Sequence, residues 1–268
     1  MNEQLSKIEV HQGRSPLVVS VPHAGTLIPA SIHERLNPEV HDLPDTDWYV
    51  DRLFDFAPDS GASMIKTCWS RYVIDLNRPS DNAPLYANQS GSSLVPLETF
   101  TGEKIYREGE VPDSREVDER IELYWRPYHA RLSALVDNAL ERHGFAILLD
   151  GHSIRSELPD LFDGELPNLN IGSASGSSAA ASLVELVCSH LQHPGMTLVR
   201  DKRFKGGFIT RQYGQPGENV HAVQLEIAQR TYMQEFPPVW DENMASGLVG
   251  MLKGLVSGLH QWRPENQQ

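Results

Sequence analysis

The chain has 268 residues, 40% of them hydrophobic and 22% charged, with 20 glycines and 18 prolines. That is an ordinary globular composition, and it excludes collagen, coiled coil and a wholly disordered chain. Lysine and arginine total 23 against 36 acidic side chains, and the net charge of −13 argues against nucleic acid or anionic membrane as partners.

The opening stretch, MNEQLSKIEV, has neither the basic start nor the apolar core of a secretion signal, and no later apolar run approaches the ~18–20 residues of a membrane span. Residues 17–21, bracketed by Pro16 and Pro22, predict a buried strand. Thr46 is placed to cap a helix in which Tyr49, Val50, Leu53, Phe54 and Ala57 recur at helical spacing. Gly61 then leads into two strand-like runs, 63–67 and 71–76. Residues 77–112, with NRPSDNAP, NQSGSS and GEKIYREGEVP, predict a long functional loop region. Asp113 and Glu116 form a capping box for the longest helix, with Pro127 a predicted kink and Gly144 its stop. Its apolar stripe is Val117, Ile121, Tyr124, Tyr128, Leu132, Leu135 and Ala139.

A second uninterrupted apolar strand follows at 145–149 and ends in Asp150-Gly151-His152-Ser153. Residues 169–171 predict a short strand, and SASGSSAAAS a small-residue linker into a helix carrying Leu183, Val184, Leu186, Val187 and Leu191. Another strand is expected at 196–199, before the basic cluster Arg200, Lys202, Arg203 and Lys205. The last strand is expected at 222–227, and the last helix repeats Met244, Leu248, Met251, Leu255 and Leu259. Such alternation, with no internal repeat or boundary, predicts one α/β domain over 1–268: a largely parallel sheet with helices on both faces. Cys68 and Cys188, 120 positions apart, make no disulfide framework or thiolate zinc knuckle, which fits a reducing cytoplasm.

His23 and His152 each follow a strand that is apolar on both faces, and ligands of open α/β sheets bind just beyond the carboxyl ends of strands. Two imidazoles at that edge are candidate metal ligands; the alternative is a pair of ordinary loop histidines. Glu226 stands inside the apolar run 223–228, where a lone carboxylate must find a partner, meet a metal or stay protonated. Gln224 shares its strand face, which favours a site over a core. Asp75 raises the same question, with Arg71 or Arg78 near enough to pair with it. Asp45 and Asp47 precede a predicted helix and meet its dipole, or supply an oxygen ligand. Arg78, Arg155 and Arg211 fall in predicted loops, and in so acidic a chain such cations suggest an anionic ligand. The P-loop, GxGxxG, HExxH and HxxE patterns do not occur, and Arg155 stands where the glycine closing a nucleophile elbow beginning at Gly151 would be. His190 and His193 read as surface.

Taken together, VPHAG at 21–25, DTDW at 45–48, SRYVIDLNRP at 70–79, DGHS at 150–153, FKGGFITRQYG at 204–214 and VQLEIAQ at 223–229 resemble the N-formylglutamate amidohydrolases, including the N-formylglutamate deformylases of bacterial histidine breakdown. The resemblance implies a zinc-carboxypeptidase-like, three-layer αβα fold with a mostly parallel or mixed sheet. It implies hydrolysis of N-formyl-L-glutamate, a small molecule, to formate and L-glutamate. By the same resemblance, His23, Asp47 and His152 would hold one divalent ion, zinc, with Asp45 competing for the carboxylate place. Glu226 would be the general base; Arg78 and Arg211 would hold the substrate carboxylates, with Asn77 and Arg155 beside them. The rival readings are a metal-dependent amidohydrolase of another N-acyl amino acid and a non-catalytic carboxylate-binding protein on the same fold.

Overall fold

Strands that are apolar on both faces need cover on both sides, and that requirement decides which strands take the middle of the sheet. The computed structural model describes residues 7–83 and 93–265. Its seven-stranded sheet comprises β1 (Ile8–His11), β2 (Leu17–Val21), β3 (Ser63–Thr67), β4 (Ala146–Ile154), β5 (Leu169–Gly172), β6 (Leu198–Arg200) and β7 (Val220–Ala228). The order is β1-β3-β2-β4-β7-β5-β6. Strands β3, β2, β4 and β7 run parallel, and β1 and β5 pair antiparallel with β3 and β7, so the sheet is mixed.

The helices are α1 (Ala30–His33), α2 (Val50–Leu53), α3 (Ser114–Arg120), α4 (Arg126–His143), α5 (Ala181–Leu191), α6 (Phe208–Tyr213) and α7 (Glu242–Gln261). Alternation along the strands divides the core in two. Leu17, Val19, Ile147, Leu149, Val223 and Leu225 pack against α2, α5 and α7. Val18, Leu148, Val220 and Ala222 pack on the other side against α4 and Ile209 of α6. The three-layer α/β architecture expected from the family resemblance is present.

Several local expectations change. Residues 71–76 form turns rather than a strand, although Tyr72, Val73, Ile74 and Leu76 are buried. Arg71 and Asp75 are buried among them and paired at 2.9 Å, and that local ion pair fits a turn better than an extended ladder. The helix expected from Thr46 shrinks to the single turn of α2, which starts after Tyr49 in the left-handed region (φ 61°) with no side-chain cap. The α3 cap is as expected, the Asp113 carboxylate accepting from Glu116 N at 2.8 Å. In place of a simple proline kink, a π-helical turn over Ile121–Trp125 precedes α4, and Pro127 falls in the first turn of α4, where a missing N–H costs least. Gly144, at φ 76°, stops α4. Strand β4 runs on to Ile154, so His152 lies within the strand rather than after it. The edge strand β1, with only Ile8 buried, and a small hairpin of β8 (Met233–Gln234) and β9 (Val239–Trp240) carry no apolar run to announce them.

Gly25 shows how closely the loop after β2 is packed. A Cβ on it would collide with the Cys68 carbonyl carbon and the Trp69 oxygen, backbone atoms that cannot swing aside. Gly25→Ala is expected to lose about 1–3 kcal/mol, the usual cost of overpacking, read as a lower denaturation midpoint at unchanged slope.

Candidate metal centre

Parallel neighbours deliver their carboxyl ends to one edge, and the site is built there. In the β4–β7 register His152 lies opposite Glu226, and Asp150 opposite Gln224. All four sit on the sheet face that packs against α4, by the same alternation that buries Leu148 and Ala222 there. His23 follows β2 by two residues, and the backbone N–H of Asp47 donates to its carbonyl at 3.2 Å, which brings the 45–48 loop to the same place.

His23, Asp47 and His152 are all buried, with potential ligand atoms within 4.8 Å of one another. Asp47 Oδ2 lies 3.1 Å from His152 Nδ1 and 3.8 Å from His23 Nδ1. The opposite nitrogens are engaged elsewhere: His23 Nε2 with Asp75 Oδ1 at 2.8 Å, and His152 Nε2 with Asp150 Oδ2 at 2.9 Å. A carboxylate can only accept, so each Nε2 carries a proton. By the same rule His152 Nδ1 donates to Asp47 Oδ2, and against the cost of burial Asp150 and Asp47 hold this imidazole well above its ordinary pKa, so a metal taking that position would displace a proton. Burial lowers His23 instead, and its Nδ1 keeps a lone pair on the Asp47 side. His23 Nδ1 is buried without any hydrogen-bond partner. A lone pair kept dry and unmatched is costly unless something else meets it, and a cation between two imidazoles and a carboxylate does so. The donor set fits a divalent metal, with a carboxylate behind each imidazole as metal sites usually have.

Opposite charges lie within a few ångströms of one another around the group. Burial alone would raise the Asp47 carboxyl, but the His152 hydrogen bond, His23 and Arg71 hold it below the usual range. Asp75 behaves alike: burial is overcome by His23 and Arg71, and the carboxyl is held well below its ordinary value. Arg71 links the two, with Nη1 3.3 Å from Asp47 Oδ1 and Nη2 2.9 Å from Asp75 Oδ2. Glu226 has no such cation in direct contact. Burial pushes its carboxyl up to about 8, and Gln224 Nε2 donates to its Oε2 at 3.1 Å. Asp45 is absent from the metal-binding group; its carboxylate accepts from Phe100 N at 3.1 and 3.2 Å and holds that loop.

A cavity of about 780 Å³ opens over the centre, within the range of small-molecule sites. His23, Asp47, His152 and Glu226 line it, as do Asn77, Arg78 and two cations that sequence reasoning gave no part in the site, Arg71 and Arg203. Asn77 Nδ2 lies 3.1 Å from His152 Nε2, and its Oδ1 accepts from Ile209 N at 2.8 Å. Gly207 is packed so close that a Cβ would overlap the Asn77 amide, which explains one glycine of the FKGGF motif. Arg211 and Arg155 are not among the lining residues. Arg211 Nε donates to the Gly206 carbonyl at 2.9 Å, one step behind a glycine that does line the cavity. The Arg155 guanidinium lies 5.4 Å from the Phe236 ring centre, with Nη2 3.5 Å from Thr101 Oγ1. Of the two supporting carboxylates, Asp75 is flagged by the sequence and does pair with Arg71, whereas Asp150 is given no role there, although it stands two residues before His152 on a strand, which is a readable signal.

Residues 15–233 match the family model described as N-formylglutamate amidohydrolase. An N-formylglutamate deformylase from Pseudomonas putida is 44% identical over 265 residues, covering 97% of this chain and 98% of that one. Another, from Pseudomonas aeruginosa, is 42% identical over 269 residues, covering 99% of each chain. The crystal structure of N-formylglutamate amidohydrolase from Ralstonia eutropha JMP134 aligns with a TM-score of 0.80 at 25% identity, covering 95% of this chain and 96% of that one. The six motifs read from the sequence are thus part of a likeness that runs nearly end to end: the chain belongs to the N-formylglutamate amidohydrolase family and is a hydrolase acting on an amide.

Proposed function

We propose that the chain binds one divalent metal ion through His23, Asp47 and His152 and hydrolyses N-formyl-L-glutamate to formate and L-glutamate. The observation that carries this reading is the buried, partnerless His23 Nδ1 facing the oxygen that Asp47 shares with His152. Two imidazoles and a carboxylate are a donor set suited to zinc. When bound, such an ion supplies Lewis-acid activation of water and of the amide carbonyl at neutral pH.

The side chains around it do the remaining work. Glu226, held by Gln224 and raised by burial, accepts a proton from the attacking water and passes it to the departing glutamate nitrogen. Arg78, in the cavity wall, takes a substrate carboxylate, with Arg203 a second cation on the same surface. Arg211 supports from behind through Gly206, and Arg155 stands further out. In this reading residues 1–268 act as one domain, and the two free thiols suit a reducing cytoplasm. Among the described residues no helix is long and apolar enough to cross a membrane.

Chelation is expected to abolish formate release, and adding the metal back to restore it. Elemental analysis of the His23→Ala, His152→Ala double variant should find the ion gone; full occupancy there would refute the ligand set. Glu226→Gln keeps the shape but cannot take the proton, so metal content should hold while kcat falls by roughly 10²–10⁴-fold. Loss of metal in that variant would make Glu226 a ligand instead. Arg78→Lys keeps the charge and loses the two-pronged donor, worth about 1.5–3 kcal/mol or roughly 10- to 150-fold. That loss should appear in kcat/KM for N-formylglutamate and be smaller for an N-formyl amino acid with an apolar side chain.

A further inference from the structure

Asn77 and Arg78 reach the cavity from a segment that is neither strand nor helix, so sheet hydrogen bonds do not fix their direction. What fixes it comes from residues that do not line the cavity. Trp125 Nε1 donates to the Arg78 carbonyl at 2.9 Å. His129 Nε2 meets the Leu76 carbonyl at 2.9 Å. The carbonyl between them, on Asn77, accepts from Phe208 N at 3.3 Å and from Arg78 Nη1 at 3.0 Å. Three successive peptide oxygens are therefore each held.

The two side chains that grip the outer carbonyls act as one unit. They stand one helical turn apart, and their rings lie 3.9 Å between centroids at 32°. Phe208 packs against both rings, and Tyr213 stacks parallel to His129 at 6.1 Å. A carbonyl can only accept, so His129 is the Nε2–H tautomer, and its Nδ1 lies 3.1 Å from the Tyr213 hydroxyl. Burial pushes this imidazole down to about 4, so it keeps that neutral form. The π-helical turn before α4 ends on Trp125 itself, and such turns are frequent where function demands a side chain out of ordinary register.

We infer that Trp125 and His129 are positioning residues: by holding the carbonyls of Arg78 and Leu76 they aim Asn77 and Arg78 into the cavity. The inference rests on the proposed reading of that cavity as the substrate site. Fixing the peptide planes before Asn77 and after Arg78 fixes the direction in which both side chains leave the backbone, and preorganisation of this kind governs binding strongly, a 1 Å misplacement costing as much as ~10²-fold. Simple packing of the rings would not require either N–H.

The test compares Trp125→Phe, His129→Leu and His129→Gln in the metal-loaded full chain. Phenylalanine keeps a ring without the N–H, leucine fills the site without a donor, and glutamine returns an amide N–H near the Nε2 position. Hydrogen exchange reads the loop directly, at the amides of Arg78, which donates to the Asp75 carbonyl, and Ile209, which donates to the Asn77 side chain. Both amides should exchange faster in Trp125→Phe and His129→Leu and near the wild-type rate in His129→Gln. In the first two variants KM for N-formylglutamate should rise about 10-fold, more than kcat falls, with metal content unchanged. Unaltered exchange, or faster exchange at unaltered KM, would overturn the inference, as would a variant that lost only thermal stability. A wild-type protein that releases no formate would refute the proposed function, and the exchange rates would still decide whether these two side chains hold the loop. If His129→Leu does not fold, Trp125→Phe and His129→Gln carry the comparison.

Discussion

His23 and His152 turn their Nδ1 atoms toward one point because each Nε2 is bound to a buried carboxylate, Asp75 in one case and Asp150 in the other. A dry carboxylate is expensive to keep ionised, so the surroundings of these two must compensate for it. Asp75 receives the Arg71 guanidinium and the backbone N–H of Asn77, at 2.9 and 2.8 Å. Asp150 receives the Ser20 hydroxyl at 2.9 Å, which in turn lies 3.0 Å from the Tyr128 hydroxyl of α4. The orientation of the candidate metal ligands is thus tied to β2, β4 and α4 at once. Removing one member of such a buried group leaves the others uncompensated, typically a loss of about 3–5 kcal/mol.

The sheet order makes this convergence possible. With β2, β4 and β7 adjacent and parallel, three strand ends reach the same edge, and the two-residue alternation that buries Leu148 and Ala222 against α4 also turns Asp150, His152, Gln224 and Glu226 to that side. Glu226 is thereby brought beside His152 but out of contact with Arg71, which is committed to Asp47 and Asp75. One carboxylate of the pair is held ionised and the other is pushed up, from causes that lie a few residues apart. The proposed division between ligand and base would follow from position in the fold rather than from residue type.

Much of this was legible in the chain. Apolar runs bounded by proline or glycine announced β2 and β4, because a strand buried on both faces has no choice of residue, and a carboxylate within such a run singled out Glu226. The turns at 71–76 were read as a strand because Tyr72, Val73, Ile74 and Leu76 have strand-like composition; that Arg71 and Asp75 close on each other is a tertiary fact. The π-helical turn at Ile121–Trp125 left no mark in the apolar stripe, since Ile121, Tyr124 and Tyr128 remain buried through it. The arginines were the hardest to place. Arg78, Arg155 and Arg211 all follow readable motifs, yet only Arg78 lines the cavity, because a long flexible side chain ends where its partners are, and those partners come from distant segments.

The chain's charge of −13 and the dianionic substrate proposed for it are reconciled by distance. Exposed charges are screened beyond about 8 Å at physiological ionic strength, so acids spread over the surface act weakly on a ligand inside the cavity. Within it, Arg71, Arg78 and Arg203 lie on the wall, where a lower dielectric magnifies each interaction. Arg71 already meets Asp47 and Asp75, so its charge is largely committed to keeping those carboxylates ionised. Arg78 reaches the wall from a segment whose carbonyls at Leu76 and Arg78 are held by His129 and Trp125, and its Nη1 donates to the neighbouring Asn77 carbonyl. Backbone anchoring of this kind lowers the rearrangement a cation needs to meet an incoming carboxylate, which is how an acidic chain can accommodate the acidic substrate proposed for it.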